Sequence, residues 1–402
     1  MNKIAILGAF DRYNYGDLLF PIILEKYIFN EIGNVDIEYY GLREHDLTSF
    51  GGKKTKMYKD LVESENFNNI DVLILAGGEM LGATWSEMHL CFVNNSFQSF
   101  FIRVLRKFFG MEFVDKLSNK LLLNDSITLL PWVVNNKINN SGIKVIYNTV
   151  GGSNVDRLPY KYQRYIVDSL KDVSYISVRD QKTIDMLKKI GVNRDIKLYP
   201  DSAIIMSDIF KKEYLIEKVS ERTIDILDKF KQGYIIFQIN KYLGINNVKI
   251  IAKQLEEVYH RIGFPTILLP IGTAPHHEDH LPLYELNKIV KTPTVFIDSQ
   301  NVYDTMALIA FSKLYLGTSL HGAITSLSYA VPHAGLTKKI QKLDAFLKTW
   351  GVQGYSKCID IEEISCEVNN LLNVDKDILV KVSEKLISLG YENFSTMKKF
   401  LL

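Results

Sequence analysis

Short apolar runs that stop at a glycine, proline, asparagine or aspartate recur along the whole chain, and most are followed by a segment of helical periodicity. That alternation specifies βαβ units. In the first half the runs are residues 4–7, 71–75, 145–150, 175–178 and 196–198; in the second they restart at 234–239, 266–269, 294–297 and 313–316. Val248, Ile251, Leu255, Val258 and Ile262 recur at three- or four-residue steps and mark a crossover helix. The runs are nearly continuous in apolar residues, as expected of parallel strands covered by helices on both faces. At 402 residues the chain is too long for one ordinary core. A polar, charged stretch at 207–232 separates the two series. The expected fold is therefore α/β, with two domains built on parallel sheets. They span residues 1–206 and 207–402, and a terminal helix within 375–402 packs back on the first domain.

The formal charge is only +2, which argues against a general nucleic-acid binder. Cys91, Cys358 and Cys366 form no CxxC pair, which favours a reducing compartment and hence the cytoplasm. No run reaches the roughly 18 apolar residues of a spanning helix, so any membrane contact is expected to be peripheral. Residues 97–120 offer one place for it: Phe97, Phe100, Phe101, Val104, Leu105, Phe108 and Phe109 are mixed with Arg103, Arg106 and Lys107. Such a helix either lies on an anionic bilayer or buries its apolar stripe in a core.

Ligands of doubly wound sheets bind beyond the carboxyl ends of the strands. After the first strand come Asn14, Gly16 and Asp17, at the start of a helix. A glycine there permits close backbone approach, and Asp17 either caps the helix or faces a ligand. The run is not GxGxxG, so no dinucleotide is indicated. Leu73 to Glu79 ends a second strand in Gly77-Gly78-Glu79 and sets a carboxylate at the same edge. Arg179, after Ser177-Val178, has the side chain best shaped to grip a carboxylate or phosphate, or else it pairs with an acid.

The richest element is Gly317-Thr318-Ser319-Leu320-His321-Gly322, where a strand gives way to a small-residue helix. It offers amides, hydroxyls and an imidazole to an anion together. Lys338 and Lys339 follow and could add positive potential. The string His276-His277-Glu278-Asp279-His280 invites a metal, but adjacent loop residues do not readily converge on one ion, and a polar cleft rim is the expectation.

The NYGD element, AGGEM, SVRD, YPDSA (199–203) and TSLHGAITSLSYAVP occur in the order seen in polysaccharide pyruvyltransferases, which the chain resembles from about residue 3 to 350. The resemblance implies a GT-B-like fold of two facing Rossmann-like domains. It also implies transfer of a pyruvyl group from phosphoenolpyruvate to two hydroxyls of a sugar, free or lipid-linked, with no metal or dinucleotide cofactor. On that reading His321 donates a proton to the methylene carbon or to the phosphate, and Arg179 holds the donor's acidic groups. The amides of Leu320 to Gly322 hold phosphate, assisted by Lys339, while Asp17 or Glu79 orients or deprotonates the acceptor. Ser319 stands where many members have arginine, so either a lysine such as Lys338 or Lys339 replaces that charge or the donor is a different one. A GT-B glycosyltransferase using a nucleotide sugar, or an inactive carbohydrate-binding relative, remains the alternative.

Overall fold

The computed structural model describes residues 3–63, 69–93, 96–123, 128–134, 142–275, 277–298 and 300–401. The first sheet holds β1 (Lys3–Leu7), β2 (Asp36–Gly41), β3 (His45–Asp46), β4 (Lys54–Met57), β5 (Val72–Ala76), β6 (Lys144–Val150), β7 (Tyr175–Val178) and β8 (Lys197–Leu198). The second holds β9 (Ile235–Gln238), β10 (Thr266–Leu268), β11 (Thr294–Phe296), β12 (Leu314–Gly317), β13 (His333–Leu336) and β14 (Cys358–Ile359). The helices that shape the cleft and its rim are α1 (Tyr15–Glu31), α2 (Ser96–Phe109), α3 (Met111–Leu123), α4 (Gln181–Lys189), α5 (Lys241–Ile262), α6 (Leu320–Ser328), α7 (Gln341–Trp350) and α8 (Lys376–Lys398).

The second sheet is ordered β11-β10-β9-β12-β13-β14, the doubly wound sequence, and every pairing in it is parallel. The first is ordered β3-β4-β2-β1-β5-β6-β7-β8, with only the short β3–β4 pair antiparallel. Each sheet reverses its winding at one point, between β1 and β5 in the first and between β9 and β12 in the second. A crevice opens at the carboxyl ends of those strands, so the turns after Leu7, Ala76, Gln238 and Gly317 face a common cleft.

All nine strand-forming runs expected from the sequence are strands here, shifted by a residue or two. β2, β3, β4 and β14 escaped notice because they are short or only partly apolar; Asp36–Gly41, for instance, carries Asp36 and Glu38 and is half-buried. The polar joint at 207–232 holds short helices, Met206–Ile209, Lys212–Leu215 and Glu221–Lys229, pinned by buried Leu215 and Ile226. The crossover helix starts at Lys241 rather than near 248, because the Asn240 side chain caps it by accepting from the Leu243 amide.

One apolar core crosses the joint. It runs from Ile4 and Ile6 of β1 through α1 to Ile236, Tyr315 and Ile324 of the second half. Helix α8 adds a polar tie: buried Asn393 donates to Asn148 Oδ1 on β6 (2.7 Å) and accepts from the Tyr175 hydroxyl on β7 (2.8 Å). Asn393→Ala strands both partners away from water and is expected to cost about 3 kcal/mol in urea denaturation. Lys398→Ala, on the same helix as Asn393, breaks an exposed pair with Glu31 of α1 and should stay within ~0.5 kcal/mol.

Candidate functional site

Two adjoining cavities form the cleft. One, of about 200 Å³, lies against the first sheet and is lined by residues including Arg12, Asp17, Gly78, Glu79 and Trp132. The other, of about 180 Å³, lies against the second sheet and is lined by residues including Gln238, Asp279, Thr318, Ser319 and His321. Asn14, His277 and Lys342 border both and mark where the two lobes meet. A larger cavity of about 510 Å³ sits away from the cleft, beneath α3, and contains none of the strand-end motifs.

In the first-sheet lobe, Gly77 and Gly78 both have left-handed backbone (φ +68° and +84°), a conformation that favours glycine and turns Glu79 toward the cleft. Asp17 is in the first turn of α1 but does not cap it. Its carboxylate accepts from the Asn14 amide (3.0 Å) and lines the lobe. Burial raises the Asp17 carboxyl, against the pull of Arg12, Lys342 and Arg179. Arg12 is buried, paired with Asp11 at 2.8 Å, and also borders this lobe.

In the second-sheet lobe, Gln238 at the end of β9 organises the turn after β12. Its Oε1 accepts from the amides of Thr318 (2.8 Å) and Ser319 (2.9 Å), while its Nε2 donates to Asp279 (2.8 Å). Ser319 then caps α6 by accepting from the Gly322 amide (3.3 Å). Of the three amides expected to grip a phosphate, Gly322 is thus engaged, and among the described residues Leu320 and His321 keep theirs unpaired. The Asp279 carboxylate accepts from the amides of Ile271 (3.1 Å) and Gly272 (3.0 Å); burial outweighs these bonds and lifts it to about 7.

His321 and Arg179 stand where the two halves touch. The backbone of Gly16 lies so close to the imidazole that a Cβ there would sit 1.8 Å from Nδ1. Phe20 packs edge-on to the same ring at 5.3 Å. Among the described residues Nε2 has no hydrogen-bond partner, with Asp201 at 3.7 Å, beyond bonding distance. Burial, with the positive charges of Arg179 and Lys342 alongside, holds the ring well below the ordinary imidazole range. It is neutral in the ligand-free protein.

Arg179 was expected to grip the donor directly. The structure instead buries it (1 % exposed) between Glu79 (2.9 Å) and Asp201 (3.2 Å). Two carboxylates occupy its terminal nitrogens because a buried guanidinium needs partners. The Glu79 carboxylate also accepts from the Ser153 amide and hydroxyl (2.8 and 2.9 Å), so it braces Arg179 as well as facing the lobe. Lys338 and Lys339 need the plainest correction: both are exposed on the turn after β13 and line neither lobe.

The cleft's lysine is Lys342, one turn further on, in the first turn of α7. That helix is anchored on the first half by Trp350, whose indole donates to the Arg179 carbonyl (2.7 Å), and by a Lys182–Gln341 bond (2.8 Å). The Lys342 side chain is exposed to the cleft, but protein closes around it. That enclosure, with Arg179 nearby, lowers its ammonium from the ordinary lysine value against the pull of Glu79, Asp17 and Asp279. Lys342 lies in the run 337–342, whose three lysines read as a source of positive potential, and Asp279 in the histidine-rich string, but neither is singled out there as a site residue. Gln238 gave no signal at all. Among the described residues no group of three or more His, Cys, Asp or Glu is placed to hold a metal, and His276 lies outside them.

Two parallel-sheet Rossmann-like domains with motifs at facing switch points define a GT-B-like protein. Its fold is similar to that of Neisseria meningitidis UDP-GlcNAc 2-epimerase bound to UDP-GlcNAc (TM-score 0.57, 14% identity, 100% of each chain). It is also similar to Anabaena Alr3699/HepE in complex with UDP-glucose (TM-score 0.54, 10% identity, 99% of this chain and 100% of that one). No curated protein matches the chain in sequence. The profile of the polysaccharide pyruvyl transferase family matches residues 14–338, and the chain belongs to that family.

The contact between Gly16 and His321 can be tested by a double-mutant cycle. Gly16→Ala is expected to cost about 2 kcal/mol through overpacking, and to cost almost nothing when introduced into His321→Ala. An equal loss in both backgrounds would show that the added methyl meets something other than the imidazole.

Proposed function

We propose that the chain transfers a pyruvyl group from phosphoenolpyruvate to two hydroxyls of a sugar in a surface polysaccharide or its precursor, forming a cyclic ketal. The observation that carries this reading is Lys342, set between a lobe that offers amides to an anion and a lobe lined by carboxylates. The donor belongs in the second-sheet lobe. There the α6 amides of Leu320 and His321, the hydroxyls of Thr318 and Ser319, and Lys342 suit phosphate and carboxylate together. The acceptor belongs in the first-sheet lobe, where Asp17, Asn14 and Glu79 accept from or donate to sugar hydroxyls. Arg179 acts from beneath, as a positioning residue for Glu79 and as a fixed positive charge.

The proton inventory closes with two groups. Asp279, near half-protonated at neutrality, gives a proton to the C3 methylene, making the methyl group, as the first hydroxyl adds to C2. Neutral His321 takes that hydroxyl's proton and returns it to the departing phosphate as the C2–O bond breaks. The second hydroxyl adds to C2 and gives its proton to Asp279, which restores the starting state. Products are the ketal and inorganic phosphate. Binding of the trianionic donor raises both His321 and Lys342, so their charge is greatest when phosphate must leave.

Calorimetry with phosphoenolpyruvate beside uridine diphosphate tests the donor. Micromolar or tighter binding of phosphoenolpyruvate is expected to weaken about thirtyfold in Lys342→Gln, since a bond to a charged group is worth ~2 kcal/mol. Binding of uridine diphosphate alone would favour a nucleotide-sugar donor, the ligand class of the fold neighbours, and overturn the proposal. His321→Ala should lower kcat by about 10²–10⁴-fold with folding intact.

The pH profile separates the two proton carriers. Asp279 must be protonated to act as an acid, so kcat/KM is expected to fall as pH rises through about 7. In Asp279→Asn the residual activity should lose that limb. A limb that survives unchanged would remove Asp279 from the chemistry.

A further inference from the structure

Helices α2 and α3 form a pair that is inverted relative to an ordinary surface hairpin. On α3 the buried face carries three polar side chains beside Val114. Asp115 accepts from the Ser86 amide (2.8 Å) and the Tyr162 hydroxyl (2.9 Å), Ser118 bonds His89 (3.1 Å), and Asn119 donates to the Thr128 carbonyl (3.2 Å). The outward face is apolar. Phe100, Phe101, Phe108, Phe109, Phe113 and Leu121 are each more than half exposed. Phe101 and Phe108 stand two turns apart on one side of α2, and Phe109 meets Phe113 at 5.5 Å across the bend, so the exposed rings continue from one helix to the next.

We infer that this surface docks the protein on an anionic lipid bilayer. Charge decides the occupant. Arg103, Lys107, Lys116 and Lys120 are exposed among the rings, whereas of the acids on these helices Asp115 is buried and Glu112 lies 3.8 Å from Lys161. Aromatic side chains that reach the acyl boundary, with cations at the depth of the headgroups, are the composition of an interfacial helix. A second copy of the chain would bring like charges together across the same apolar surface.

The surface also adjoins the cleft. The helix Trp85–Leu90, which packs on α3, supplies Met88 to the first-sheet lobe. Arg103 donates to the Tyr242 hydroxyl (2.7 Å) at the start of α5, just beyond Asn240 of the second-sheet lobe. A bilayer bound here lies beside the acceptor side of the site, where an amphiphilic, lipid-carried sugar would be presented. This inference goes beyond the proposed reaction and stands whatever group the cleft transfers.

The test is flotation of the full chain with vesicles of phosphatidylcholine mixed with phosphatidylglycerol, against pure phosphatidylcholine, with light scattering of the free protein alongside. Wild type should float with the anionic vesicles. Lys107→Gln and Lys116→Gln should each weaken binding about fivefold, because a cation near an anionic surface is worth ~1 kcal/mol. Phe108→Ser with Phe109→Ser should abolish flotation without lowering the melting temperature, since neither ring is in the core. No flotation of wild type, flotation indifferent to lipid charge, or a wild-type dimer that the phenylalanine variant dissociates while vesicles have no effect would each overturn the inference.

Discussion

The first turns of α1 and α6 meet across the cleft with no side chain on the α1 side of the contact, and the site's geometry follows from that approach. Gly16 leaves room for the His321 ring to lie on the α1 backbone. A short antiparallel bridge between Asn14 and Gly272, with Tyr15 donating to the Ile271 carbonyl (3.1 Å), fixes the same loop to the second half. Beneath it, the Tyr15 and Thr325 hydroxyls bond at 2.8 Å inside an apolar core that belongs to both halves. Two sheets that wind independently are thereby held with their switch points facing. A core continuous through the joint resists opening far more than the polar interface usual between domains.

Beneath the cleft lies a charged floor. Arg179, Glu79 and Asp201 make a buried triad, and a buried ion pair seldom adds net stability over an apolar replacement. Its consequence here is electrostatic: Arg179 cannot leave, so it is a fixed charge next to His321 and Lys342. That charge helps keep His321 neutral and lowers Lys342 in the empty protein. A triad placed to tune its neighbours is consistent with the clustering of perturbed groups at functional sites.

The strand ends were legible from the sequence because a parallel strand buried on both faces reads as an unbroken apolar run, and the motifs sit where such runs stop. The division into two α/β halves followed from the restart of the pattern at Tyr234, and their GT-B-like pairing from the family resemblance. The partners of each side chain were not legible. Arg179 reads equally as an anion clamp or as half of an ion pair, and nothing in the sequence marks Asp201 and Glu79, 22 and 100 residues away, as the acids that hold it. Gln238 lies inside an apolar run and carries no mark of its role, since only the pairing of β9 with β12 brings it to the amides of Thr318 and Ser319. The stripe on α2 and α3 left core and membrane open as readings, because periodicity shows that a helix has two faces and is silent on which face turns inward.

Ser319 and Lys342 differ in how the fold uses them. The resemblance places an arginine at position 319; in this chain the serine hydroxyl closes the first turn of α6 and its amide is bound to Gln238. Lys338 and Lys339 are nearer in sequence but point into solvent from the turn. Lys342 enters the cleft because α7 aims its first turn there, and α7 is held in place by contacts at both ends with the segment that begins at Arg179. A lysine in a first helical turn opposes the helix dipole; Asp344 in the same turn offsets it, and no side chain caps α7. The position of Lys342 adds nothing to the helix alone. It becomes favourable once an anion occupies the cleft, because the amides at the start of α6 and the ammonium at the start of α7 then converge on one negative charge.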